Sequence, residues 1–177
     1  DEAEEIKERI KKVVEDLERK VRELLRRSEK LAEDLHELSK ENIERMKRLL
    51  EELEDLVRKR RTEEVIKTAE KVLRDSRRSS KEVADRADRV LEESKRLTRE
   101  VTEEMRRVLE KLRDEVRRAN LDEEIEDLLR KVEERIRELE EELRRLNKKI
   151  EEEVRRNKDE NRRVNEEIER RIRELAR

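Results

Sequence analysis

The sequence predicts an all-α fold: an up-down-up antiparallel three-helix bundle, a long coiled-coil-like rod that occupies residues 1–177 as a single domain. Three observations predict it. Apolar residues recur at spacings of three and four, the period of one buried helical stripe. Gly, Pro, Cys and aromatic residues are all absent, so turns that need a freely positive φ, disulfides and thiol chemistry are disfavoured or unavailable. The charge pattern reverses from basic to acidic at two sites that cut the chain into near-equal thirds.

The first third reads as helix 1, about 2–59. It opens on Asp1-Glu2 and closes on Arg58, Lys59, Arg60 and Arg61, acids at the start and bases at the end as the helix macrodipole favours. Its apolar stripe runs through Ile6, Ile10, Val13, Leu17, Val21, Leu24, Leu31, Leu35, Leu38, Met46, Leu49, Leu53 and Leu56. Thr62 then offers an N-cap ahead of Glu63 and Glu64, which starts helix 2, about 63–118. Its stripe includes Val65, Ala69, Val72, Val83, Ala87, Val90, Leu97, Val101, Met105, Val108, Leu112 and Val116. At the second reversal Arg117 and Arg118 lead to Asn120, a candidate left-handed residue, and Asp122, a candidate N-cap for helix 3, about 122–176. That helix carries Ile125, Leu128, Val132, Ile136, Leu139, Leu143, Leu146, Ile150, Val154, Val164, Ile168, Ile172 and Leu175. Each helix is expected to be roughly 85 Å long at about 1.5 Å per residue, and none buries its stripe alone.

Charged residues make up 60% of the chain against about 25% in ordinary globular proteins. Such composition is compatible with disorder, but disordered chains are rich in Pro, Ser and Gly and lack the periodicity seen here. The 52 basic and 54 acidic residues are interspersed, so no basic face builds up and nucleic acid is not an expected partner. The longest apolar runs are pairs such as Leu24-Leu25 and Leu49-Leu50, which excludes a membrane partner through a spanning helix and leaves no targeting signal to read; the chain is expected to be soluble.

Polar residues interrupt each stripe: Ser28 and Asn42 in helix 1, Ser76, Ser80 and Ser94 in helix 2, Asn157 and Asn161 in helix 3. Up-down-up packing pairs positions of helices 1 and 2 that add to about 121, and of helices 2 and 3 that add to about 241. Ser28 then falls level with Ser94, and Ser94 with Asn147; Asn42 falls level with Ser76 to Ser80, and Ser80 with Asn161. A buried amide or hydroxyl without a partner costs roughly 1–3 kcal/mol, so polar groups at matched heights penalise every other register.

With its Glu/Lys/Arg surface, Ile/Leu/Val core and two polar layers, Ser28 with Ser94 and Asn147, and Asn42 with Ser80 and Asn161, the chain resembles de novo designed helical bundles with buried hydrogen-bond networks. It departs from them in turns free of Gly and Pro. Natural three-helix rods such as spectrin repeats are similar in outline but carry core aromatics. The resemblance implies a structural scaffold whose purpose is its fold, most simply a monomer, with no cofactor and no required partner. The alternative is an interaction module that self-associates, as a homo-oligomer, or accepts a partner helix through the doublets Val13-Val14, Leu31-Ala32, Val65-Ile66 and Val90-Leu91.

No catalytic, cofactor or metal site is expected. Glu33 and His36 stand at the Glu-x-x-His spacing of di-iron bundles, but those need two such motifs and His36 is the only histidine. It reads as a residue flanking the core and bonding toward Asn157. Ser39 lies one turn from His36 without a cleft or oxyanion donors, and carboxylate pairs such as Glu166-Glu167 read as solvated surface. The run Asp75-Ser76-Arg77-Arg78-Ser79-Ser80 could be read as a loop or phosphorylation segment; the stripe 73, 76, 80, 83 passing through it favours helix.

Overall fold

A computed structural model describes residues 2–119 and 123–175. It contains three α-helices, α1 (Glu2–Arg58), α2 (Thr62–Ala119) and α3 (Glu123–Leu175), and no strand among the described residues. The residues that fill the helices are strong helix formers, chiefly Glu, Lys, Arg and Leu. The first turns hold Glu2, Glu4 and Glu5 in α1, Glu63 and Glu64 in α2, and Glu123, Glu124 and Glu126 in α3. Arg58, Arg117, Arg118 and Arg173 lie in the last turns, so each macrodipole is met by opposite charge at both ends.

The α1–α2 turn is closed without glycine. Arg60 takes the left-handed conformation, with φ of 57°. The Arg61 amide donates to the Leu56 carbonyl at 3.3 Å and the Arg60 amide to the Val57 carbonyl at 3.1 Å, the paired bonds of a Schellman motif. The chain then re-enters helix at once, the Arg61 carbonyl accepting from the Val65 amide at 2.9 Å. Arg61 is therefore the cap residue and Thr62 the first residue of α2, a correction to the expected Thr62 cap. Arg60 thus stands where Gly is usual, and Arg61 takes the N-cap position with a guanidinium that donates to Glu64 and cannot accept from the first-turn amides. The expected roles of Asn120 and Asp122 lie outside the described residues.

The chain forms two compact units, each built from a stretch of all three helices. In the first (1–29 and 92–150), α1 and α2 run antiparallel: paired residues grow closer in sequence along α1, from Arg9–Glu115 (106 apart) through Lys20–Glu104 (84) to Ser28–Ser94 (66). The α2–α3 pairs open in the same manner, from Arg113–Glu133 (20) to Thr98–Asn147 (49). Its core gathers Ile10, Leu17 and Val21 of α1, Met105, Leu112 and Val116 of α2, and Ile125, Ile136, Leu139 and Leu143 of α3, all buried.

In the second unit (30–91 and 151–177), α1 and α3 run parallel, with bonded pairs at nearly constant separation: His36–Asn157 (121), Ser39–Asn161 (122) and Glu54–Arg171 (117). The α2–α3 pairs Asp88–Lys158 (70) and Ser76–Asn165 (89) are antiparallel. Met46, Leu50, Leu53, Val72, Ile168 and Ile172 form a buried cluster, flanked by half-buried Leu49, Val65, Ala69, Leu73, Val164 and Leu175. At about 25 cal/mol per Å² of apolar surface, such side chains each contribute roughly 1.5–3 kcal/mol when buried.

The buried stripes differ in detail from the expected ones. On α1 the face passes through Ala32, Leu35, Ser39, Asn42, Ile43, Met46, Leu50 and Leu53, while Leu31, Leu38, Leu49 and Leu56 are half-buried. On α2, Thr98 is buried in place of Leu97. A helix has 3.6 residues per turn, so a stripe counted in threes and fours slips by one position at doublets, where either member can face inward.

Candidate functional site

The one feature that departs from a plain apolar core is its buried polar side chains. The first unit holds Ser28, Ser94 and Thr98. The Ser94 hydroxyl donates to Ser28 Oγ at 3.4 Å, a long bond between two fully buried groups. Thr98 Oγ1 lies 3.1 Å from Asn147 Oδ1 and 2.8 Å from the Ser94 carbonyl, its one hydrogen serving either acceptor. Ser28 and Ser94 are thus brought together. Half-buried Asn147 is bonded to Thr98, one turn along α2 from Ser94, which the sequence reading had expected as its partner. Thr98 was missed because Leu97 beside it carries the stronger apolar signal.

The second unit holds a deeper polar section. On α1 nothing apolar is buried between Leu35 and Ile43, on α2 between Val72 and Val83, and on α3 between Val154 and Ile168. The buried residues there are Ser39 and Asn42, Ser76 and Ser79, and Asn157 and Asn161. Asn161 Nδ2 donates to Ser39 Oγ and to the Asn157 carbonyl, the latter at 3.1 Å. Asn157 Nδ2 donates to the Glu153 carbonyl at 2.8 Å, and its Oδ1 faces His36 Nδ1 at 3.4 Å. With the amide hydrogens turned away, the imidazole must donate through Nδ1. The Ser76 hydroxyl donates to Asn165 Oδ1.

Two sequence expectations are corrected in this section. Ser80 is only half-buried, and the adjacent Ser79 faces the core, because the inward positions of α2 are 72, 76, 79 and 83. The matched heights put Asn42 together with Ser76, Ser80, Asn157 and Asn161. Its Oδ1 instead accepts from Arg45 of its own helix at 2.9 Å, and its buried Nδ2 has no partner.

No protein-family model matches the chain, and no curated protein matches it. A solved structure described as "Computationally designed three helix bundle" is similar to it, with a TM-score of 0.52 and 18% identity, covering 98% of this chain and 91% of that one. The fold is a three-helix bundle.

The bundle's surface offers shallow grooves. One, of about 470 Å³, lies between α1 and α3 of the second unit, lined by residues that include Glu33, His36, Glu37, Glu153, Arg156 and Asn157. Among the described residues no group of three or more His, Asp or Glu is placed to hold a metal ion, and no helix is long and apolar enough to cross a membrane. Charge perturbations belong to surface ion pairs. A side-chain hydrogen bond from Lys59, whose Nζ stands 3.0 Å away, and the attraction of its charge hold Asp55 below the usual carboxylate range. The Arg135 guanidinium, bonded first by Glu18 of α1 and then by Glu138 of its own helix, is held above its ordinary value.

Proposed function

We propose that this chain is a designed scaffold without catalytic activity, whose buried polar layers set the register of its three helices. The observation that carries the reading is that the polar section of the second unit draws Ser39 and Asn42, Ser76 and Ser79, and Asn157 and Asn161 from three different helices, in place of core residues. A shift of one helix by a turn would set amides and hydroxyls against Leu, Ile or Val and leave them unpaired at about 1–3 kcal/mol each. Buried polar groups that specify register at some expense of stability are a known device of coiled coils.

The scaffold acts as a monomer. Among the described residues Ile66, 56% exposed, is the sole exposed large hydrophobic side chain, so the doublets of helices 1 and 2 leave no broad apolar face for a partner helix. The deciding experiment replaces all six buried polar residues of the second unit with Leu, Ile or Val. Stability is expected to stay equal or rise, while light scattering shows associated species beside the monomer. A combined variant that remains a single monomeric species with the native helix pairing would overturn the register role.

A further inference from the structure

We infer that the polar section of the second unit binds a buried water molecule, held by the side-chain amide of Asn42. Asn42 is 2% exposed, and its Nδ2, a two-hydrogen donor, has no acceptor. Turning the amide over does not repair this. Arg45 Nη2 sits 2.9 Å from Oδ1, and a guanidinium only donates, so the oxygen must stay on that side and the nitrogen must point away from it. The orientation is locked by a neighbour on the same helix, one turn on.

What surrounds the section favours a small ligand that both donates and accepts. Ser39 Oγ accepts from Asn161 and still has a hydrogen to give; Ser76 Oγ gives its hydrogen to Asn165 and still has lone pairs. Ser39, Ser76 and Ser79 are buried there with Asn42, so the lining of the section is polar on two helices. Buried polar groups in folded proteins that lack a protein partner are satisfied by ordered water, which typically makes about three hydrogen bonds and is bound where the lining is polar. A chloride or other anion would match the Asn42 donor but not the free lone pairs of Ser76 Oγ in the same section. Water matches both. This binding does not require the section to set register, so the two readings stand or fall separately.

The test uses the full chain in solution. Cross-relaxation between the Asn42 side-chain amide protons and water is expected to carry the sign of a long-lived molecule, and oxygen-17 relaxation dispersion is expected to lose one long-lived water in N42L. A coupling across a hydrogen bond from the Asn42 side-chain nitrogen to a protein carbonyl carbon would overturn the inference. So would the absence of water cross-peaks in the unaltered protein, or an unchanged count of long-lived waters in N42L. If N42L fails to fold, the cross-peaks of the unaltered protein decide alone.

Discussion

A leucine in place of Asn161 removes two donors at once, one toward Ser39 and one toward the Asn157 carbonyl, and adds an apolar side chain where no apolar neighbour is buried at that height. Asn161→Leu is therefore expected to lower stability by about 1–3 kcal/mol, offset in part by the added apolar contact, as read by urea or guanidinium denaturation. No loss at all would mean that Ser39 finds another partner without difficulty. Ser39, Ser79 and Thr98 were not legible in the sequence as polar core positions, whereas Ser28, Asn42, Ser76, Ser94, Asn157 and Asn161 were, because Ser and Asn in a Leu/Ile/Val stripe have no other reason to be there. Their partners were less so. Which of Ser79 and Ser80 faces inward depends on a rotation of 100° per residue, and two adjacent serines give no signal to choose between them. Asn42 bonding to Arg45 competes locally with any cross-helix bond, and an arginine in a chain this charged attracts no attention by sequence.

At the scale of the element, the α1–α2 turn makes two predictions. A non-glycine residue in the left-handed region costs about 1–2 kcal/mol, and Arg60 occupies it with no side-chain bond to its own backbone of the kind Asn or Asp makes. Arg60→Gly is therefore expected to stabilise the protein by about 1 kcal/mol, after the larger entropy loss of glycine is subtracted, measured as a shift in denaturation midpoint at unchanged slope. A destabilised variant would show that the turn is closed differently. The second prediction concerns Asp55 at the end of α1. Lys59 depresses its pKa in the folded state, so the stabilisation it gives is present above the unfolded aspartate value of about 3.9 and disappears as pH falls through the lower folded value. The carboxyl carbon of Asp55 is expected to titrate, by NMR, with a midpoint below that value, and in K59M to return toward it. The positions of the helices and of the first turn were legible because charge reverses there, an effect of the macrodipole that survives without Gly or Pro. The identity of the capping residue was not: Thr62 has the better side chain, but the Schellman bonds fix the backbone one residue earlier and hand the cap to Arg61.

For the molecule as a whole, helices that take up all the described residues but the α1–α2 turn imply high thermal stability, since regular helical backbone carries no strain. Circular dichroism is expected to show nearly complete helix and a melting temperature above about 90 °C; a broad transition near roughly 50 °C would place the protein among loosely packed, highly charged chains instead. The pairing distances also bear on how the chain reaches this state. Contacts between α2 and α3 begin at a separation of 20 residues, in Arg113–Glu133, and can close like a zip toward Thr98–Asn147, each new pair adding little further loop entropy. Contacts between α1 and α3 have no such start. Glu18–Arg135, Ser39–Asn161 and Glu54–Arg171 are all separated by 117 to 122 residues, however far along the helix they lie. They carry the full sequence separation of a non-local contact at every height, so closing them first costs the most loop entropy. The α1–α3 seam is therefore expected to assemble last, so that Asn161→Leu, which removes the bond to Ser39, speeds unfolding in stopped-flow measurements while the folding rate changes little.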